Sequence, residues 1–203
     1  MHVAVWRVCG LVCLAWLLSA CATMSAEECK LANWRDVGLR DGAAGYPLSR
    51  VGDRAQDCEK VGVLIDTDAY AKGRDAGLKS YCRIENAIPL ALNGGSYAGV
   101  CPPVNGFEFE QRFQAGRAVY DLRSDLHALD GRIESLEHRL RATHHDEDRA
   151  LKEAKNDEDR KRIRRSVDDQ RRDLRADLSE TDRRLRRKRD ELRYAESALS
   201  RFQ

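Results

Sequence analysis

Histidine is absent from residues 21–116, and this absence limits the chemistry available there. The histidines that follow this segment are His127, His138, His144 and His145. A Ser-His-Asp or Cys-His catalytic site is therefore excluded from residues 21–116, as is a histidine-ligated metal site. No phosphate-binding glycine loop is present either. We therefore expect a protein that is not an enzyme and that holds neither a metal nor a cofactor.

The sequence also has no apolar run long enough to cross a bilayer, which takes about 20 helical residues. The run after Arg7, Val8–Leu18, covers only eleven residues. A basic residue before a short apolar run is typical of a signal peptide. The run ends in Leu18-Ser19-Ala20-Cys21, which has the form of a bacterial lipobox. The alternative, a buried N-terminal helix, is disfavoured because the chain turns abruptly polar at residues 25–28.

The lipobox predicts that residues 1–20 are removed on export and that Cys21 becomes the lipidated N-terminus. Ala22 follows, and by resemblance to known lipoproteins a residue other than Asp at this position favours sorting to the outer membrane. Several acyl chains hold a protein on a lipid surface without a spanning helix. We therefore expect a lipid anchor on the periplasmic face of the outer membrane, with membrane lipid as a partner through acylated Cys21.

Charge divides the exported chain into two parts. Residues 117–203 contain 45 charged residues out of 87, whereas residues 21–116 contain 24 out of 96. Residues 21–116 can bury a core, whereas residues 117–203 cannot do so alone. We therefore predict a signal peptide at 1–20, a compact domain at 21–116 and a charged coiled-coil hairpin at 117–203. The net charge is +3 for residues 117–203 and −2 for residues 21–116, so no nucleic-acid partner is expected. The basic run 183–189 is a solvated flank or contacts anionic lipid or cell-wall polymer.

Cysteine is missing after residue 101, and no CxxC pair occurs. Four cysteines remain in the compact part after export and lipidation: Cys29, Cys58, Cys82 and Cys101. An even number in an oxidising compartment indicates two disulfides, whereas zinc binding lacks the usual ligand spacing. Pairing of sequence neighbours, Cys29 with Cys58 and Cys82 with Cys101, closes the shorter loops and is favoured.

The compact part repeats a pattern in which an aromatic residue is followed three or four residues later by glycine. Its three copies contain Trp34, Gly38 and Gly42; Tyr70, Gly73 and Gly77; and Phe113, Gly116 and Tyr120. Spacings of three and four place these residues on one helical face. Since glycine costs about 1 kcal/mol in a helix interior, close helix packing is the expected compensation. The alternative is that the glycines open a ligand slot beside the aromatic rings.

Capping signals predict three helices in the compact part. Ser25 and Glu28 form a capping box for a helix that ends near Gly45. Ser49 caps a second helix that ends before Gly62, with Leu48, Val51, Ala55 and Cys58 on its inner side. Asp66 or Thr67 starts a third that runs to about Cys82. Residues 83–106 are rich in Gly and Pro and are expected to form a loop.

Apolar residues alternate at steps of three and four in the charged part, which is typical of a coiled coil. The first series contains Val119, Leu122, Leu126, Leu129, Ile133, Leu136 and Leu140; the second runs from Ile163 to Leu199. Asn156, followed by three acidic residues, indicates a helix start. We therefore predict two antiparallel helices with a turn near residues 154–157. The alternative is one continuous helix that pairs with another subunit.

Together with the lipobox, three segments resemble the bacterial lipoprotein family known as domain of unknown function 2799. They are Trp34…Gly38…Asp41-Gly42, Tyr70-x-x-Gly73-Arg74-x-x-Gly77-Leu78-x-x-Tyr81-Cys82 and Ser96-Tyr97-Ala98-Gly99-Val100-Cys101-Pro102. The resemblance covers residues 21 to about 121. It implies an envelope location and a helical fold, but the family has no assigned activity. Ala87 stands where glycine is often expected, so the conformation of that loop is left open.

The expected fold is thus all-α, a small disulfide-tied helical domain followed by a long antiparallel helical hairpin. The expected function is that of a structural or protein-interaction module of the envelope, with an envelope protein or a second copy meeting the coiled coil. The alternatives are a catalytic site at residues 83–106, where Arg83 and Glu85 are the titratable groups, or a small-ligand site at the faces of Trp34 and Tyr70.

Overall fold

The computed structural model of the protein describes residues 23–202. The predicted signal peptide and Cys21 lie outside the described residues. Every regular element within 23–202 is a helix, which confirms the all-α prediction. The described residues form two compact units, one of residues 23–86 and 97–110 and the other of residues 87–96 and 111–202. The domain boundary predicted between residues 116 and 117 stays a prediction.

The N-terminal part contains two helices where the sequence predicted one. Helix α1, Ala26–Leu31, begins with the predicted capping box: the Ser25 side chain accepts from the Glu28 N–H, and the Glu28 carboxylate accepts from the Ser25 N–H. Helix α2, Trp34–Ala43, begins at Asn33, whose side-chain oxygen accepts from two backbone N–H groups of the next turn. The prediction of a continuous helix was wrong because Asn33 caps a new one.

The next two helices lie close to the predicted positions. Helix α3, Arg50–Glu59, follows Ser49, but the Ser49 side chain makes no capping hydrogen bond, and Leu48 is half exposed rather than on the inner side. Helix α4, Thr67–Tyr81, begins with the Asp66 carboxylate accepting from the Ala69 N–H at 2.9 Å. Asp66 is thus the N-cap of α4, and Asp68 lies in the first turn, where acidic residues are favoured.

Residues 83–106 contain helical segments where the sequence predicted a loop. A 3-10 turn at Ile84–Asn86 leads into helix α5, Ala87–Leu92, and the next long helix already begins at Pro103. Pro89 lies in the first turn of α5, where its missing N–H would have no helical partner. Gly94 and Gly99 adopt positive φ angles of 76° and 67°, which favour glycine.

The long helices form the predicted antiparallel hairpin. Helix α6 runs from Pro103 to Glu153 and helix α7 from Asp157 to Leu199. Asn156 caps α7 by accepting from the Asp159 N–H at 2.8 Å, so the turn lies at residues 154–156. The helices are in contact along the coiled-coil seam, where Leu136 of α6 and Leu174, Leu185 and Leu199 of α7 are buried. The prediction of a hairpin is therefore confirmed over the alternative of one continuous helix.

Ion pairs join the flanks of the hairpin. They connect Arg123 with Glu196 at 2.8 Å, Asp125 with Lys188 at 3.1 Å, and Glu147 with Arg171 at 2.8 Å. Arg171 also donates to the hydroxyl of buried Thr143 at 2.9 Å. The pairs join low residue numbers of α6 to high numbers of α7, as an antiparallel arrangement requires. No helix within residues 23–202 is both long and apolar enough to span a bilayer.

Candidate functional site

Helices α2 and α4 cross with their backbones in contact. The residues at the crossing are four glycines of the predicted repeat: Gly38, Gly42, Gly73 and Gly77. A Cβ atom on Gly38 would lie 2.9 Å from the Arg74 nitrogen, and one on Gly73 would lie 2.8 Å from the Arg35 carbonyl carbon. Real Cβ atoms do not approach backbone this closely, so only glycine fits at these positions. The space that a ligand slot would need is filled by backbone.

The aromatic residues of the first two copies lie beside this crossing. Trp34 and Tyr70 are buried in the apolar core of the first unit together with Met24, Cys29, Val37 and Cys58. The disulfide Cys29–Cys58 crosses this core with a Cα–Cα distance of 5.3 Å, and Cys82–Cys101 joins residues 5.5 Å apart. Both disulfides are paired as predicted. Because Trp34 is 9% and Tyr70 0% exposed, their faces are core rather than a ligand surface.

The third copy of the repeat packs differently. Gly116 faces helix α5, where an added Cβ would lie 2.9 Å from the Ala91 Cβ. The Tyr120 ring lies against Gly94 and 5.2 Å from the Arg117 guanidinium. Phe113 is buried. The sequence pattern treated the three copies as equivalent, but only the first two pack against each other.

A buried carboxylate lies at the centre of the first unit. Asp41 is 3% exposed and receives two hydrogen bonds from Arg54, Nε to Oδ2 at 2.7 Å and Nη2 to Oδ1 at 2.6 Å. The Tyr70 hydroxyl donates a third, at 2.7 Å. Buried charges are tolerated when they are paired and hydrogen-bonded in this way. The guanidinium fork and the phenol thus hold α2, α3 and α4 together around one carboxylate.

The network shifts the ionisation of its members. The hydrogen bond with Asp41 raises the pKa of Arg54 above its ordinary value. Burial, followed by the hydrogen bond to Asp41, raises the pKa of Tyr70 far above that of a free phenol. Arg54 therefore stays charged and Tyr70 stays protonated at physiological pH. Neither shift leaves a group poised to exchange protons near neutral pH.

A second set of contacts joins Thr23 to helix α3. The Thr23 N–H and hydroxyl both donate to Asp57 Oδ2, at 2.6 and 2.9 Å, and Arg54 Nη1 donates to the Thr23 carbonyl at 3.2 Å. Lys60 Nζ lies 2.8 Å from Asp57 Oδ1, and the Asp57 side chain is 11% exposed. The hydrogen bond from Lys60 and then those from Thr23 hold the pKa of Asp57 well below its ordinary value. We call Thr23, Arg54 and Asp57 the N-terminal clamp.

A groove of about 840 Å³ opens beside the clamp. Its walls include Thr23, Glu28, Leu31, Asp36, Arg40 and Arg54. Leu31 is 86% exposed, whereas Cys29 of the same helix is buried in the core. The groove combines carboxylates and guanidinium groups, which is the chemistry of a polar surface rather than of an apolar ligand pocket.

A smaller groove of about 580 Å³ lies where helix α4 meets residues 100–105. Leu78, Val100, Pro102 and Val104 provide its apolar wall. Asn105 Nδ2 donates to the Cys82 carbonyl at 2.8 Å, while the buried Asn105 Oδ1 has no hydrogen-bond partner among the described residues. Arg83 and Glu85, the titratable groups of the predicted catalytic alternative, pair with each other at 2.6 Å.

The histidines of the hairpin do not form a metal site in the described part of the chain. His144 Nδ1 lies 2.9 Å from Arg171 Nη2, and no group of three or more His, Cys, Asp or Glu side chains within residues 23–202 is arranged to hold a metal ion.

Sequence reasoning missed the N-terminal clamp and the buried Asp41. Asp41 appeared only as part of a motif that resembles a family. One signal was available, since Asp41 lies three residues after Gly38 and therefore on the same packed helical face. The partners of Asp41 and Thr23 lie 13 to 34 residues away in sequence, so no local pattern identifies them.

Residues 33–118 match the model of a family described as "Protein of unknown function (DUF2799)". The predicted resemblance is confirmed. The matched segment includes the glycine crossing, the buried Asp41 network and the second disulfide, whereas Thr23, Cys29 and most of the hairpin lie outside it. Searches of curated proteins and of solved structures find no match to this chain. The match assigns these residues no chemistry.

Proposed function

We propose that this protein is a lipoprotein of the outer membrane, anchored through acylated Cys21 on the periplasmic face, and that it acts as a structural or protein-interaction module of the envelope. The observation that carries the proposal is the lipobox Leu18-Ser19-Ala20-Cys21. It is supported by the two disulfides, which are typical of proteins that fold in an oxidising compartment outside the cytoplasm.

The interaction role is supported by the hairpin. Helix α7 has 43 residues and extends about 65 Å at 1.5 Å per residue. Its apolar seam is used against α6, so a partner would meet the charged flanks and the ring of Tyr194, which is 75% exposed. Contacts between charged flanks are screened by salt, and association through the hairpin should therefore weaken as ionic strength rises.

The anchor is tested by Cys21→Ser in the full-length precursor, with Cys13→Ser as the matched control. Cys13 lies inside the predicted signal peptide, so the control makes the same chemical change away from the lipobox. We expect Cys21→Ser to abolish incorporation of labelled fatty acid and either to release the protein or to leave its signal uncleaved. Normal processing and membrane retention of Cys21→Ser without lipid would contradict the proposal.

The interaction role is tested by a photo-crosslinking amino acid in place of Tyr194, irradiated in intact cells. One discrete adduct, with an envelope protein or with a second copy, is expected, and it should be lost when the hairpin is opened by Leu185→Asp. Adducts that persist after this change, or a protein that stays uncrosslinked, would contradict a role for the hairpin in interaction.

A second candidate function is small-ligand binding in the groove at residues 100–105. It is supported by the apolar wall of this groove, which suits a ligand with an apolar body. Replacing Asn105 with Leu removes its hydrogen bond to the Cys82 carbonyl and should lower the free energy of unfolding of the free protein by about 1 kcal/mol. It should also remove any stabilisation by such a ligand. A ligand that stabilises both proteins equally does not bind there.

A further inference from the structure

The N-terminal clamp fixes the chain close to the predicted lipid attachment point. Thr23 uses its N–H, hydroxyl and carbonyl groups in hydrogen bonds to Asp57 and Arg54 of α3. Asp57 is held in turn by Lys60, and Arg54 by the buried Asp41. Residue 23 is therefore bonded to the core of the first unit and does not belong to a flexible tether.

Covalent geometry sets how far the lipid can lie from this clamp. Only Ala22 separates Thr23 from Cys21, and two residues of fully extended chain span at most about 7 Å. A chain that began to fold tens of residues after its lipidated cysteine would leave its domain free to rotate above the membrane. Here at most about 7 Å of chain separates the attachment point from the clamp.

We propose that the N-terminal clamp holds the first unit against the lipid surface in one orientation, with α1 and its exposed Leu31 in contact with the membrane. The proposal rests on the lipid anchor at Cys21 proposed above. Leu31 lines the same groove as Thr23 and is 86% exposed, so it is a large apolar side chain beside the anchor that no described residue covers. A bilayer interface buries such a side chain, which is how helices at membrane surfaces are held.

The charged side chains around Leu31 are of both signs: Lys30 and Arg40 are exposed there, and so are Glu27, Glu28 and Asp36. Lys30 is exposed next to Leu31, and Lys60 lies on the clamp itself. Ammonium groups beside an apolar side chain are attracted to the anionic headgroups of phospholipids. Lys60 is paired with Asp57, and the exposed carboxylates beside Leu31 oppose the attraction, so the proposed contact rests on the anchor, the clamp and the apolar side chain rather than on charge.

The orientation can be measured by tryptophan fluorescence in the lipidated protein. Removal of the signal peptide leaves Trp34 as the only tryptophan of the chain, and it is buried. Leu31→Trp adds one reporter at the proposed contact. We expect brominated phospholipids, in vesicles of phosphatidylethanolamine and phosphatidylglycerol, to reduce the emission of Leu31→Trp and to leave the Trp34 emission of the parent protein nearly unchanged. An unquenched Leu31→Trp on vesicles would overturn the proposal, and so would a Trp34 that is quenched equally.

Two changes test whether the clamp sets this orientation. Insertion of ten Gly and Ser residues between Ala22 and Thr23 leaves every clamp bond intact but adds a tether of about 18 Å root-mean-square length. It should restore most of the emission of Leu31→Trp. Asp57→Ala removes the hydrogen bonds that hold Thr23 but leaves Met24 buried, so it should restore a smaller part of the emission. Asp53→Ala, a matched change on the same helix at an exposed pair with Arg50, should restore none. Quenching that is unchanged in both the insertion and Asp57→Ala would show that the clamp does not orient the domain.

The mass of the N-terminal peptide separates the two proposals. If Cys21 carries no lipid, the proposed anchor fails and the orientation fails with it. If Cys21 is lipidated but Leu31→Trp is not quenched, the anchor stands and the orientation is wrong. If Leu31→Trp is shielded from an aqueous quencher but not quenched by brominated lipid, a protein rather than the membrane covers α1, and the proposed lipid contact is again wrong.

Discussion

The Tyr70 hydroxyl donates a 2.7 Å hydrogen bond to Asp41 Oδ2 beside the point where the backbones of α2 and α4 touch. The two residues lie 29 positions apart in sequence, and both are almost fully buried. Close backbone packing and a buried ion pair therefore occupy the same crossing. The glycines bring the helices together, and the carboxylate and phenol fix how they are oriented.

Replacement of Asp41 by Ala should destabilise the first unit strongly. The change leaves the Arg54 guanidinium partly buried without its partner, which typically costs about 3–5 kcal/mol. Tyr70→Phe removes only one hydrogen bond to a charged group and should cost about 1–3 kcal/mol. Chemical denaturation followed by circular dichroism measures both. Asp75→Ala, at a largely exposed carboxylate on α4, is the control and should lie within about 0.5 kcal/mol of the parent.

The packing role of Gly73 predicts that its replacement by Leu destabilises the fold, whereas helix propensity alone predicts that it stabilises the helix. Gly73→Leu should lower the free energy of unfolding by about 1–3 kcal/mol or more, because its Cβ would press on the Arg35 backbone. Gly52→Ala in α3 is the control, since a Cβ there meets nothing within 4 Å. The control should stabilise by about 0.5–1 kcal/mol through propensity. A raised melting midpoint for Gly73→Leu would contradict the crossing.

How much of this arrangement follows from the sequence depends on how local each signal is. The Ser25–Glu28 capping box, the Asp66 cap and the Asn156 cap each lie within four residues and were predicted. The break at Asn33 was missed because only the Ser25–Glu28 capping box was used as a start signal, although Asn is itself a good N-cap. Helix α5 was missed because Pro89 reads as a helix breaker outside the first turn.

The candidate site was predicted less well than the fold. The glycine repeat indicated helix packing, but the sequence could not tell which copies meet, because equal spacing predicts the face and not the partner. The clamp depends on pairs such as Thr23 with Asp57, which are 34 residues apart. Such pairs lie on elements that the core and the Cys29–Cys58 disulfide bring together.

Both disulfides should be present in protein isolated from the envelope, and each should stabilise the fold. Loops of 29 and 19 residues correspond to about 3–4 kcal/mol each in the chain-entropy model. Mass spectrometry of unreduced peptides should recover Cys29 with Cys58 and Cys82 with Cys101. The double change of Cys29 and Cys58 to Ser should lower the free energy of unfolding by that amount. Four alkylatable thiols in native protein would contradict this prediction.

Acid should weaken the N-terminal clamp. The pKa of Asp57 is lower in the folded protein than its ordinary value of 3.8 because Lys60 and Thr23 donate hydrogen bonds to it. The stability that Asp57 contributes is therefore present above pH 3.8 and is lost as pH falls through the folded pKa. Asp57→Asn should be less stable than the parent at pH 6, and the difference should shrink as pH falls below about 3. A difference that stays constant with pH would show that the charge of Asp57 is unimportant.

The hairpin should melt as an intramolecular structure. Asn156 ends the turn between α6 and α7, so the seam forms within one chain and its melting midpoint should not depend on protein concentration. Leu185→Ala, at a residue that is 6% exposed, should destabilise the hairpin by about 2–4 kcal/mol without making the midpoint concentration-dependent. Arg186→Ala, at the next and exposed position, is the control and should change the stability by less than about 0.5 kcal/mol. A midpoint that rises with protein concentration would instead indicate that the helices pair between chains, and sedimentation at the same concentrations would then give a dimer.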